Sequence, residues 1–244
     1  MPPSALTLPF LKSEKLSKDA YAFTFDRTSA REWNFSPGQY IRMTLPVENP
    51  DERGTTRLFS LVSSPLQKDH IMITTRVIQS SFKKKLLTLK PGEQVQFFGP
   101  MGVFTFREND PGSHVFLAGG IGITPFHSML LYANAKKLSV PITFFASFST
   151  TDDMVFYEEF SNIAKENPSI KVVYTVTQPE KSGKPWSGET GRISAEMIKK
   201  YVKDFDKALY YVAGPQVMVE AMVKMVSEMG LPTERILREN FTGY

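Results

Sequence analysis

Val115-Phe-Leu-Ala-Gly-Gly-Ile-Gly-Ile-Thr-Pro125 is an apolar run that breaks into glycines at Gly119, Gly120 and Gly122 and then enters helix-like sequence. A strand ending this way lets backbone come close to a diphosphate, because a Cβ at Gly120 or Gly122 would hold the ligand away. The helix that follows would aim its free N–H groups at the phosphates. Pro125 stands where the dinucleotide fingerprint has its third glycine. Proline suits the first turn of a helix, where no N–H bond is lost, so Thr124 and Pro125 read as the cap and first residue of a helix reaching about Ala135. Taken alone, the stretch fits either a nucleotide loop or a tight strand-to-helix turn without a ligand.

Downstream, the pattern alternates. His114–Ala118, Ile142–Ala146, Lys171–Thr175 and Ala208–Val212 read as buried strands, followed by helical patterns over Thr124–Ala135, Met154–Glu166, Ser194–Val202 and Pro215–Glu228. A short strand over Ile236–Asn240 closes the series. Strands alternating with helices imply a five-stranded parallel sheet with right-handed crossovers. In the last helix Val217, Met218, Met222, Met225, Val226 and Met229 read as a core-facing stripe, not a set of ligands.

Upstream, the punctuation is that of a β domain. Ala5–Leu11, Ala20–Phe25, Gln39–Leu45, Arg57–Val62, His70–Val77 and Gln94–Phe98 are short runs separated by turn signals such as Ser36-Pro-Gly38 and Pro91-Gly92. Six such strands suggest a closed antiparallel barrel or a sandwich. Ser80 caps one short helix that ends before Pro91. With the linker at Glu108–Ser113, the domains divide into residues 1–109 and 110–244.

Composition narrows the function. The 244 residues are 41% hydrophobic and 22% charged, the range of a soluble globular protein. The absence of cysteine excludes disulfides, thiolate nucleophiles and cysteine-ligated clusters. No metal site is expected, because His70, His114 and His127 are dispersed and read as surface or edge residues. The net charge of +4 is modest, and Lys83, Lys84 and Lys85 read as the solvated face of a short helix, so no nucleic-acid partner is expected. With neither a leader-like start nor a long apolar stretch, the expectation is a cytoplasmic protein without a transmembrane segment, working as a monomer.

Arg57-Leu58-Phe59-Ser60 combines a forked cation suited to a diphosphate, a flat ring suited to a heterocycle, and a hydroxyl. In ideal strand geometry Arg57 and Phe59 share one face, Leu58 and Ser60 the other. Alone, the string also fits an ordinary strand with one surface arginine.

The ordered set of Arg57-Leu-Phe-Ser60, Gly99-Pro-Met-Gly102-Val-Phe104, Gly119-Gly-Ile-Gly-Ile-Thr-Pro125, Val212-Ala-Gly214-Pro215 and Glu239-Asn-Phe-Thr-Gly-Tyr244 resembles the ferredoxin-NADP reductase superfamily over nearly the whole chain. The resemblance implies a six-stranded antiparallel FAD-binding barrel followed by a five-stranded parallel NAD(P)-binding sheet. It assigns Arg57 to the FAD diphosphate, Phe59 to the flavin or ribityl chain with Leu58 in the same motif, and Ser60 to the flavin N5. Further flavin contacts would come from Ile73, Thr74 and Thr75 and from the helix start Ser80, Ser81 and Phe82, with Lys83 adding charge; the helix start also fits an ordinary N-cap. The family more often has tyrosine at Phe59.

For the nucleotide, the resemblance assigns Gly119, Gly120, Gly122, Thr124 and Pro125 to the dinucleotide loop, and Gly214 with Pro215 to the nicotinamide side. Ala213 stands where the family usually has cysteine. Glu239 resembles the acidic residue near the flavin, able to bond Ser60 or relay a proton. Phe241 and Tyr244 are both candidates to cover the flavin face. After the second strand, Ser147 and Ser149 offer hydroxyls, no arginine is present to meet a 2′-phosphate, and Asp152 with Asp153 would repel one if turned inward, which favours NADH over NADPH.

The implied function is NAD(P)H-dependent reduction of FAD, with electrons leaving to a separate redox protein or a small molecule, because the chain has neither the cysteines nor the length for a built-in acceptor. The alternative is a flavin-binding relay or interaction subunit of a larger redox complex, with little activity alone.

Overall fold

Residues 2–241 are described by the computed structural model of the chain. Six antiparallel strands come first: β1 (Ser4–Lys15), β2 (Ala20–Asp26), β3 (Tyr40–Thr44), β4 (Thr56–Ser60), β5 (His70–Arg76) and β6 (Gln94–Met101), with α1 (Ser81–Leu87) between the last two. Their order is β4-β3-β6-β1-β2-β5. The edge strands meet just beyond β4, where the Val62 N–H donates to the Met72 carbonyl at 2.8 Å, so the sheet is a nearly closed barrel. The alternation read from sequence fills it: Ile41 and Met43 of β3, Phe23 and Phe25 of β2, and Val95 and Phe97 of β6 all point inward. Ser80 caps α1 by accepting the Lys83 N–H.

The second sheet has strands β7 (His114–Gly119), β8 (Ile142–Phe148), β9 (Ile170–Val176), β10 (Glu189–Thr190), β11 (Leu209–Pro215) and β12 (Ile236–Phe241), all parallel, in the order β10-β9-β8-β7-β11-β12. The strand beyond the five expected is the two-residue β10, too short to show a sequence period. Helices α2 (Thr124–Ala135), α3 (Tyr157–Glu166), α4 (Ala195–Tyr201) and α5 (Gln216–Glu228) connect the strands. Val115 and Leu117 of β7 pack in one cluster with Ile198 of α4 and with Val219, Met222 and Val226 of α5. The intervening Phe116 instead meets Phe144 and Tyr211, and Phe144 in turn meets Phe160 of α3. This two-faced burial is why β7 reads as a continuous apolar run.

By packing, residues 1–106 and 124–132 form one unit, and residues 107–123 and 133–244 the other. The first turns of α2 therefore belong with the barrel.

Four local readings change. Helix α3 starts at Tyr157 instead of Met154, because Thr150 and Asp153 close a reciprocal capping box around a short 3-10 turn and Phe156 is left-handed at φ 60°. Val217 of the stripe is 80% exposed, and Val219 takes the buried position. His114 and His127 are fully buried, not surface residues. Lys83 is buried too, at 7% exposure, because it follows Phe82 on the side of α1 that faces the barrel.

Candidate functional site

On the barrel unit Phe59, Ser81 and Phe82, all expected to meet a flavin, gather near one guanidinium. Arg57 Nη2 pairs with Asp51 Oδ1 at 2.6 Å, and its Nη1 donates to the carbonyls of Arg53, Gly54 and Thr56. The same guanidinium lies 5.2 Å over the Phe82 ring, which packs on Phe59 with centroids 6.0 Å apart. Ser81 Oγ accepts the Asp51 N–H at 2.9 Å, bringing the helix start to the same place. Ser60 is nearly buried next to Tyr40 across the sheet, and Leu58 is 58% exposed on the outer face. Ile73 points into the barrel core, so only its backbone is available to a ligand; Thr74 and Thr75 are buried.

Arg53, Arg57 and Arg76 bear on buried Lys83 from around it, against Asp19 and Asp51. Burial first, and then those three cations, pushes Lys83 down to about 8. Arg53, then Arg57, holds the Asp51 carboxyl well below its usual range. Arg57 Nε and Thr74 Oγ1 are buried with no hydrogen-bond partner among the described residues. Arg57 and Lys83 close together, with buried donors left over at Arg57 Nε and Thr74 Oγ1, suit the diphosphate of FAD. Asp51 was not foreseen, since an acidic residue in a turn carries no distinguishing signal.

On the sheet unit, β7 lies between β8 and β11, so the direction of winding reverses at β7 and β11. Ligands of open α/β sheets bind beyond the strand ends at such a reversal. Gly119 ends β7, and Ala213 and Gly214 stand near the end of β11. The two glycine segments touch: a Cβ at Gly122 would sit 2.4 Å from the Ala213 carbonyl oxygen and 2.6 Å from Gly214 Cα. Gly120 has φ +53°, and nothing stands within 4 Å of where its Cβ would be, so the turn is tight and its outer side open. Such a backbone cradle fits a dinucleotide phosphate. Thr124 and Pro125 are buried at the start of α2, Ser147 is half-buried, and Ser149 and Pro215 are exposed.

The acidic pair after β8 is turned to other work. Asp152 Oδ2 accepts the Gly183 N–H at 2.7 Å, and Asp153 Oδ2 accepts from Thr150 N at 3.1 Å and Thr150 Oγ1 at 2.8 Å. Both carboxylates serve as loop staples, and neither is aimed by the structure at a ribose. Glu239 lies beside Ala213 in the β11–β12 ladder, its Oε2 buried with no partner among the described residues, and burial pushes its carboxyl up to about 8. Phe241 is half-buried; Tyr244 lies outside the described residues.

The pairing of an anion-hungry barrel with a dinucleotide-type sheet agrees with the family comparison. The model of the oxidoreductase FAD-binding domain matches residues 7–106, and that of the oxidoreductase NAD-binding domain matches residues 116–224. The chain belongs to the ferredoxin-NADP reductase superfamily. Within this superfamily it is similar to a Na+-translocating NADH-quinone reductase subunit of Klebsiella pneumoniae, 29% identical over 93% of this chain and 57% of the relative. It is also similar to the glycine betaine monooxygenase reductase subunit of Chromohalobacter salexigens, 24% identical over 91% of this chain and 60% of the relative. The chain thus spans little more than half the length of these curated relatives. Among solved structures, a ferredoxin NADP+ reductase of Neisseria gonorrhoeae with bound FAD and NADP shares the superfamily fold at TM-score 0.80, with 18% identity over 97% of this chain and 98% of that one. The FAD/NAD-binding domain of a nitric oxide dioxygenase of Vibrio cholerae gives TM-score 0.80 at 17% identity, covering 96% and 98% of the two chains. No helix among the described residues is long and apolar enough to cross a membrane.

Proposed function

We propose that this chain is an NAD(P)H-dependent flavin oxidoreductase that passes electrons to a separate acceptor. The observation that carries this reading is the closeness of Arg57 and Lys83, with Arg57 Nε and Thr74 Oγ1 buried without a hydrogen-bond partner among the described residues, in a chain whose other unit crosses two glycine turns at a winding reversal. Bound FAD would supply the redox chemistry, accepting a hydride equivalent from the nicotinamide and passing electrons on to the acceptor, while the protein binds and aligns the two cofactors.

The chain's own residues bind and orient. Arg57 and Lys83, with the capped start of α1, hold the diphosphate; Ser60 and Thr74 offer hydroxyls to the flavin; the backbone at Gly119–Gly122 receives the nucleotide phosphates, and Ser147 and Ser149 its ribose. Glu239, a carboxyl kept protonated by burial up to a pH of about 8, is a proton donor suited to a reduced flavin. Asp152 and Asp153 keep their charge while bonded within their loops, and the preference for NADH rests on the quinone reductase relative. That relative and the monooxygenase reductase subunit both support an acceptor supplied as a separate component.

Anaerobic mixing of the FAD-reconstituted chain with NADH and with NADPH tests the reading. Bleaching of the flavin absorbance by at least one of them is expected. Flavin that stays oxidised with both would reduce the chain to a relay subunit, and failure to take up FAD at all would remove both readings.

A further inference from the structure

The helix that leaves the glycine loop is fastened to the barrel by two neighbouring side chains. His127 and Ser128, both fully buried, lie in the first two turns of α2. His127 Nδ1 is 2.9 Å from the Val62 carbonyl oxygen, and Ser128 Oγ donates to the Ser63 carbonyl at 2.7 Å. A carbonyl only accepts, so Nδ1 of His127 carries the proton.

The segment they hold is fixed from its other side as well. The Leu61 N–H donates to the Gln39 carbonyl at 2.9 Å, and the Met72 N–H donates to Ser63 Oγ at 3.1 Å. Val62 and Ser63 follow Ser60 in the chain by two and three residues. The neighbours on α2 are seated equally firmly. Phe126 packs edge-on against Phe104 at 5.8 Å, and a Cβ on Gly38 would meet Met129 Cε at 2.4 Å.

We propose that His127 and Ser128 are positioning residues for hydride transfer. They tie the start of α2, joined by a single peptide bond to the loop ending at Ile123, to the strand end that carries Ser60. The proposal rests on the oxidoreductase reading above. Neither side chain meets the reacting atoms. Ile121 and Ile123 seat the loop by burial, and Gly119, Gly120 and Gly122 give its cradle no polar side chain with which to correct a shift. A displacement of about 1 Å can cost on the order of a hundredfold in rate, so two bonds that fix the root of the loop matter to the transfer itself.

The test compares His127→Phe, which keeps a buried ring and removes the donor, with His127→Asn, which restores a donor near the Nδ1 position, and pairs Ser128→Ala with Ser128→Thr. Each is made in the full chain reconstituted with FAD. His127→Phe and Ser128→Ala should slow flavin bleaching at saturating NADH or NADPH about tenfold or more. Flavin occupancy, nucleotide affinity and the rate of reduction by dithionite should hold, and amide exchange across residues 119–126 should quicken. His127→Asn and Ser128→Thr should recover most of the rate. An unchanged bleaching rate in both donor-less variants overturns the proposal, as does equal slowing in His127→Phe and His127→Asn, which would make ring volume the cause. Ser128→Ala removes almost no volume and decides the matter if His127→Phe does not fold. If the parent chain is not bleached by either nucleotide, the oxidoreductase reading fails instead, and unchanged exchange in Ser128→Ala would then separately refute the tie.

Discussion

The two units treat buried polar groups in opposite ways. The barrel keeps them charged: Arg57 is paired with Asp51, and Lys83 sits near the guanidiniums of Arg53, Arg57 and Arg76. Even fully buried Arg27 stays in place on the Trp33 and Arg31 carbonyls and the faces of Trp33 and Phe35. The parallel sheet keeps them neutral, since burial pushes His114 down to about 4 and Glu239 up to about 8, and raises Tyr211 to about 12. A strand buried on both faces holds its polar side chains away from water, and the ion pair of Arg235 with Asp110 near His114 does not offset that burial, whereas the loops and the α1 start at one part of the barrel supply both signs. The difference teaches how each unit would hold a phosphate: the barrel by side-chain charge, the sheet by backbone.

Acidification should strike the sheet hardest. His114 takes its proton at about pH 4 when folded and at 6.5 when unfolded, so the unfolded chain binds the proton first. The stability that neutral His114 provides is full above pH 6.5 and is lost as pH falls toward 4, about 3 kcal/mol in all. Denaturant unfolding at the two ends of this window measures it. His114→Phe should lose markedly less stability than the parent, and an equal loss would mean that the sheet does not depend on a neutral imidazole.

The barrel should respond instead to loss of charge. Arg57→Ala should weaken FAD by roughly ten- to a hundredfold, the range for a hydrogen bond to a charged group, with nucleotide affinity intact. Flavin fluorescence on dilution reports it, and unchanged occupancy would place the diphosphate elsewhere.

The smallest effect should come from Asp51→Asn. Asp51 already occupies Arg57 and Arg53, so a diphosphate must share those cations with a carboxylate. Removing that charge should tighten FAD by less than about tenfold, and added salt should erase the gain. Weaker binding would show that Asp51 aims Arg57 at the ligand.

Local pattern made the two units legible. The period-two runs ending at turn residues gave the barrel, and apolar strands alternating with helices gave the sheet, because backbone geometry repeats at those spacings. Capping by Ser80 was equally visible, since a cap is a contact over three residues. Lys83 misled: its position in a lysine run suggested solvent, while Phe82 and Leu86 rotate that side of α1 against the barrel. The bonds of Asp152 were not readable either, because which backbone N–H a carboxylate takes can depend on a loop far along the chain, here Gly183.

The sequence alone determined the chain's two-part architecture, its glycine turn, and the cation, ring and hydroxyl gathered in Arg57–Ser60, since each is written within a few consecutive residues. Only the tertiary structure decided where each charge goes. It buried Lys83, left Glu239 Oε2 without a partner among the described residues, and placed His127 and Ser128 on the carbonyls of Val62 and Ser63. The reason is that burial and hydrogen bonding are settled between segments 30 to 65 residues apart, as from Asp51 to Ser81 or His127 to Val62, and no local period records such a pairing.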